Sequence, residues 1–122
     1  MFLNVIILFK ESFYFLPMKK DKKLKEIIST IANKTKPEKI YLFGSRGNGE
    51  VRKDSDYDIL VVKKTKKSKY ERIVTIHKLF GLRDFSMDVL VYTPNEIKEW
   101  KNATSSFIYH VLKTGKLVYE KQ

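Results

Sequence analysis

Lys39-Ile40-Tyr41-Leu42-Phe43-Gly44-Ser45-Arg46-Gly47-Asn48-Gly49, followed shortly by Asp54-Ser55-Asp56-Tyr57-Asp58-Ile59-Leu60-Val61-Val62, is the stretch that organises this chain. An apolar strand runs into a glycine-punctuated turn. A second apolar strand then begins with two carboxylates at i and i+2. Side chains two apart in a strand point to the same face, about 7 Å apart along it. Two carboxylates so placed repel each other unless something positive lies between them. Asp88, 30 residues beyond Asp58 in another β-rich segment, is the candidate third carboxylate.

The chemistry of the donors narrows the ion. Hard oxygen ligands with no histidine nearby in sequence, in a chain with no cysteine, suit Mg²⁺ or Mn²⁺ rather than zinc. Paired metals for in-line phosphoryl displacement use carboxylates arranged this way. The turn supplies the complementary half. Gly44 permits a positive φ and close backbone approach, and Ser45 offers a hydroxyl. The following N–H groups, near a helix start, make a cradle for phosphates. Arg46 and Arg52 are candidates to add charge. Metal and phosphate cradle on adjacent elements form a coherent site for a nucleoside triphosphate.

Working outward, the 122 residues suffice for one domain and one core. The absence of cysteine excludes a disulfide framework, a thiol nucleophile and a thiolate metal site, and fits a reducing cytoplasm. The net charge of +11 points to a polyanionic partner or to general solubility. The lysine runs, Lys19 to Lys25 and Lys63 to Lys69, do not alternate with aromatics as a base-stacking surface would. Direct nucleic-acid binding is therefore not favoured over nucleotide phosphates.

Residues 1–17 are unusually apolar, with Lys10 and Glu11 the only charges. The run Val5 to Phe9 is far short of the ~20 residues that span a bilayer, so no membrane association is expected. A basic n-region and a small-residue cleavage site are both missing. Two readings stand: a β-rich extension adding to a sheet edge or partner, or an artefact of start-site choice, since Met18-Lys19-Lys20 resembles a natural amino terminus. The expected division is this extension, 1–17, and one catalytic domain, 18–122.

Leu24, Ile27, Ile28 and Ile31 form an i, i+3, i+4, i+7 stripe, predicting a helix from Asp21 to about Lys36 that Pro37 ends. Ile40 to Phe43 reads as a buried strand, Tyr57 to Lys63 as a second, and Lys63 to Lys69 as a solvated loop. A helix is expected over Tyr70 to Phe80 with Gly81 as its cap, and His77 reads as a residue at the core margin rather than a catalytic base. Phe85 to Tyr92 is a third strand. Thr93, Pro94 and Glu96 spell a capping box opening a helix to about Lys101. A helix from Ser105 to Thr114, closed by Gly115, and a short strand, Leu117 to Tyr119, complete the chain. The order gives a small α/β (α+β) domain with a mixed sheet flanked by helices.

Gly44-Ser45, the glycine-rich turn and Asp56-X-Asp58 ahead of an apolar run resemble the signature of the DNA polymerase β-like nucleotidyltransferases. The match through Gly49-Glu50, Arg52 and Asp54-Ser55 resembles more narrowly the minimal nucleotidyltransferases, small proteins paired as antitoxins with HEPN-domain toxins. The likeness covers roughly residues 20–120. It implies a nucleotidyltransferase fold in the cytoplasm. In that family the first two carboxylates bind metal and the third, on a later strand, helps activate the attacking hydroxyl. Carried over, Asp56, Asp58 and Asp88 are the catalytic and metal-binding residues, and Gly44, Ser45 and Arg46 bind the nucleotide. The implied cofactor is Mg²⁺, as two ions, with Mn²⁺ also suited, and the implied substrate is ATP. The implied reaction moves AMP to a protein hydroxyl, a tyrosine of a HEPN toxin.

Two other functions remain open: transfer to a small molecule such as an aminoglycoside, and a non-catalytic antitoxin that acts by binding. Asp88 is preferred over Asp84 because Met87, Val89 and Val91 occupy the opposite, apolar face. Gly47-Asn48 departs from the Ala-Arg frequent in relatives and removes one phosphate-binding charge.

Overall fold

A computed structural model describes residues 21–47 and 56–121. The apolar start, residues 1–17, and the turn residues Asn48, Gly49, Glu50, Arg52 and Asp54 lie outside these, as does the side chain of Ser45.

Helix α1 (Lys22–Thr35) opens the described chain, with Asp21 as N-cap accepting from the Leu24 N–H. Its stripe of Leu24, Ile27, Ile28, Ile31 and Ala32 is fully buried. Each isoleucine contributes about 1.5–3 kcal/mol through burial. The helix ends at Thr35, one residue short of expectation, and its C-cap Lys36 takes a left-handed conformation with φ 52° ahead of Pro37.

β1 (Lys39–Phe43) leads into α2 (Gly44–Gly47), a single turn of helix. β2 (Tyr57–Val62) and β3 (Met87–Tyr92) are parallel and joined by α3 (Lys69–His77). α4 (Pro94–Trp100), α5 (Phe107–Thr114) and β4 (Lys116–Glu120) complete the order. The sheet runs β3-β2-β1-β4, with β1 antiparallel to both β2 and β4. It is the mixed α/β sheet expected.

Alternation assigns the two faces. Ile40, Leu42, Ile59, Val61, Met87, Val89 and Val91 join the α1 stripe in the main core. Leu60 on the opposite face packs with Ile108 and Val111 of α5, bordered by Tyr41, Phe43 and Leu90.

Several boundaries differ from the sequence reading. β1 is not buried throughout: Ile40 and Leu42 are enclosed while Tyr41 and Phe43 are half-buried, because β1 has a different layer on each side. α3 starts earlier, at Lys69, because Ser68 and Glu71 form a capping box inside the lysine-rich segment. It stops at His77, so Gly81 (φ 56°) lies in the following turn rather than capping it. β3 begins at Met87, and α5 at Phe107 with Ser106 as N-cap. The Thr93–Glu96 capping box forms as expected.

Candidate active site

The register of the sheet builds the site. Phe43 on β1 stands opposite Asp58 on β2, and Asp58 opposite Asp88 on β3. Adjacent strands lie about 4.8 Å apart, so Asp58 and Asp88 stand side by side on one face. The alternation that buries Met87, Val89 and Val91 turns Asp88 outward. Asp56, just ahead of β2, is exposed and close enough for its charge to act on Asp58. Asp84, the alternative third carboxylate, instead pairs with Lys23 at 3.2 Å ahead of the strand.

The electrostatics are unbalanced. Burial, then the charges of Asp88 and Asp56, push the Asp58 carboxyl above its ordinary range. None of the three carboxylates has an ion pair or hydrogen bond among the described residues.

Gly44 belongs to the same arrangement. Its φ of 68° is left-handed, and a Cβ there would fall 2.1 Å from Asp58 Oδ2. The close approach anticipated for a ligand is thus already used by a carboxylate of the protein itself. Gly47 has its own reason: a Cβ there would meet the Leu42 carbonyl oxygen at 2.5 Å, because α2 folds tightly back over β1.

Arg46 goes elsewhere. Its guanidinium is buried, bonded to Asp21 Oδ2 at 3.1 Å and 4.0 Å above the Tyr57 ring. Tyr57 alternates with Asp58, so this guanidinium lies on the α1 side of the sheet, away from the carboxylates. Burial and the Asp21 charge raise the Tyr57 hydroxyl above its ordinary pKa, and that hydroxyl also reaches Asp21, at 3.3 Å. Arg46 thus ties α1 to α2 and β2 and is not gathered with Asp58.

A hollow of about 410 Å³ opens over Asp58 and Asp88. Phe43 and Phe107, in an edge-to-face contact with centroids 5.3 Å apart, wall it on one side, and Ile73 and His77 of α3 on the other. His77 is half-buried as expected but faces the carboxylates. Burial and the Arg83 charge lower its pKa from 6.5, against a pull upward from Asp88. Sequence gave no sign of this, because it follows from where α3 lies against β3.

The donors suit a hard divalent cation: carboxylate oxygens, no sulfur, and negative charge that no ion pair among the described residues offsets. No group of three or more His, Asp or Glu among the described residues forms a ready-made cage. Mg²⁺ is ordinarily held by one or two carboxylates together with substrate phosphates, so Asp58 with Asp88 or Asp56 meets that requirement. No helix among the described residues is long and apolar enough to cross a membrane.

Among curated proteins none matches the chain. A protein from Sulfolobus solfataricus, described as a candidate nucleotidyltransferase, is 27% identical with a TM-score of 0.57, over 80% of this chain and 77% of the other. A chain of a toxin–antitoxin structure with AMP-PNP is 21% identical with a TM-score of 0.50, over 80% of this chain and 73% of the other; it speaks for the fold alone. The family model for "Polymerase beta, Nucleotidyltransferase" matches residues 25–122, which include both described aspartate-bearing strands and Gly44. With the Asp58–Asp88 row and the glycine turn in that span, the chain belongs to the polymerase β nucleotidyltransferase family.

Proposed function

We propose that the protein is a metal-dependent adenylyltransferase that moves AMP from ATP to a hydroxyl of a protein partner, a HEPN-type toxin that it silences as antitoxin. The observation that carries the catalytic part is the trio Asp56, Asp58 and Asp88. They stand at one end of the sheet with no ion pair among the described residues, and a glycine is fitted against one of them. A fold gains nothing from leaving like charges unpaired, whereas a cation-binding centre requires it.

In this reading Asp56 and Asp58 hold two Mg²⁺ ions, Mn²⁺ substituting, and Asp88 shares the catalytic one. Bound metal would polarise the α-phosphate and offset the charge of the leaving group. The residues of the chain do the rest. The Gly44-Ser45 turn holds the β and γ phosphates through backbone N–H groups, and Asp88 helps activate the incoming hydroxyl. ATP and the hydroxyl give the AMP ester, pyrophosphate and a proton. The partner assignment is supported by the resemblance of the Gly44–Asp58 motif to minimal nucleotidyltransferases. One structural neighbour is a chain of a toxin–antitoxin structure. The domain responsible is residues 18–122, and the working compartment is the cytoplasm.

Incubation with Mg²⁺, α-labelled ATP and the product of the adjacent gene tests this. Label should reach that partner with the wild-type protein and not with Asp56→Ala/Asp58→Ala. Equal neutralisation by the double variant, with no label transferred, would leave a binding-only antitoxin.

A further inference from the structure

We infer that His77 receives the attacking hydroxyl, resting on the nucleotidyl-transfer reading above. Three of the groups concerned lie in a row across the sheet, the Gly44 turn after β1, Asp58 on β2 and Asp88 on β3, and His77 on α3 lines the same hollow near enough to Asp88 to feel its charge. In-line displacement places the attacking oxygen opposite the leaving group. With pyrophosphate held at the Gly44 end, the attacking oxygen enters from the opposite, Asp88 end, which is where His77 stands.

The lining of the hollow leaves this task to few groups. Phe43, Phe107, Ile73 and Leu90 are apolar; Asp58, Asp88 and His77 are its polar side chains. With Asp58 and Asp88 assigned to the cations, and Asp88 to activation of the hydroxyl, His77 is the polar group of the lining among the described residues that remains to hold the acceptor. Its imidazole makes no hydrogen bond among the described residues. A neutral imidazole offers one donor and one acceptor nitrogen, enough to accept from a hydroxyl and fix its direction. Ile73, one turn earlier, and the Phe43–Phe107 pair supply apolar walls that keep the approach narrow.

In the transfer, the acceptor oxygen bonds to the α-phosphorus as the α-phosphorus bond to the bridging oxygen of the β-phosphate breaks. Pyrophosphate leaves with that electron pair, and the hydroxyl proton passes to water, while the imidazole holds the acceptor oxygen in line. Water entering by the same path would be oriented in the same way.

The test compares wild type, His77→Ala and His77→Gln in three measurements. These are affinity for the α,β-methylene analogue of ATP with Mg²⁺, labelling of the partner with kcat and KM resolved, and pyrophosphate release without partner, where water is the acceptor. The expected result is analogue affinity within about twofold for all three proteins, with labelling and pyrophosphate release both about 10–100-fold lower in His77→Ala. Gln, which keeps a hydrogen-bonding group, should restore part of the loss in kcat. Unchanged rates in His77→Ala overturn the inference, as does analogue affinity falling in step with the rates, which would put His77 on the nucleotide. A wild-type protein that releases pyrophosphate but labels no partner removes the protein acceptor, while the His77→Ala comparison in water still decides the role of His77. A wild-type protein that neither labels the partner nor releases pyrophosphate overturns both readings. Circular dichroism melts of the variants confirm that each is folded in the assay.

Discussion

Arg72 and Glu96 meet at 2.8 Å, and Arg72 also donates to the Val91 carbonyl at 3.0 Å. Burial pushes the Glu96 carboxyl up, but hydrogen bonds from Arg72 and the Thr93 backbone outweigh it and hold it below its ordinary value. Asp58 and Asp88 are also neighbours on the framework, yet they meet each other rather than a base, and Asp58 is pushed the opposite way. One cluster is balanced and fastens α3 and α4 to β3. The other has no ion pair among the described residues.

The contrast breaks most readily at Asp58. Asp58→Ala is expected to lower nucleotidyl transfer by at least about 10³-fold, near 4 kcal/mol of transition-state stabilisation. Steady-state pyrophosphate release would measure it, and a loss under tenfold would contradict the site. Gly44→Ala comes next. Its Cβ must displace the Asp58 carboxylate and adopt a positive φ, so transfer should fall about 10²-fold with a stability cost of about 1 kcal/mol.

On the balanced side, Arg72→Met should cost about 2 kcal/mol in urea unfolding, reduced from the figure for a fully buried pair because Glu96 is partly exposed. Nucleotide affinity in the folded protein should stay unchanged. A smaller effect has the opposite sign. Asp58→Asn removes like-charge repulsion and should raise the melting temperature of the metal-free protein by about 2–4 °C while abolishing transfer.

The pH dependence separates the two clusters further. Because the folded pKa of Asp58 is raised, the native state takes up its proton first, and metal-free stability gains as pH falls from neutral through that folded pKa towards 3.8. Glu96 runs the other way. Its contribution is present above 4.5 and lost as pH falls through its lowered folded value. Subtracting the Asp58→Asn profile from the wild-type profile isolates the first component; a difference that grows with rising pH in favour of wild type would refute it. Smallest of all, Lys36→Gly should stabilise by about 0.5–1 kcal/mol by relieving the left-handed φ of 52°, visible as a shift in the urea midpoint.

What the sequence made legible was local. The α1 stripe, the Thr93 capping box, the positive φ of Gly44 and the outward turn of Asp88 all follow from spacing over a few residues. What it hid depends on distance along the chain. Arg46 reads as a phosphate ligand because its neighbours are glycine and serine, and spacing alone does not reveal its bond to Asp21, 25 residues earlier. His77 reads as a core-margin residue because only the crossover from β2 to β3 brings α3 beside the hollow. The start of α3 was obscured by lysines that, as a group, suggest solvated loop, although Ser68 and Glu71 among them spell a helix start.

The contact between Gly44 and Asp58 also gives a practical diagnostic. Any side chain at position 44 must first move the carboxylate at 58, so the two positions cannot drift independently while transfer is retained. A variant carrying alanine or serine at 44 would be expected to tolerate a shortened or neutral residue at 58, having already lost what the glycine protected. Position 44 thus serves as an inexpensive marker, readable without an assay, for sorting working copies of this domain from those kept only for binding.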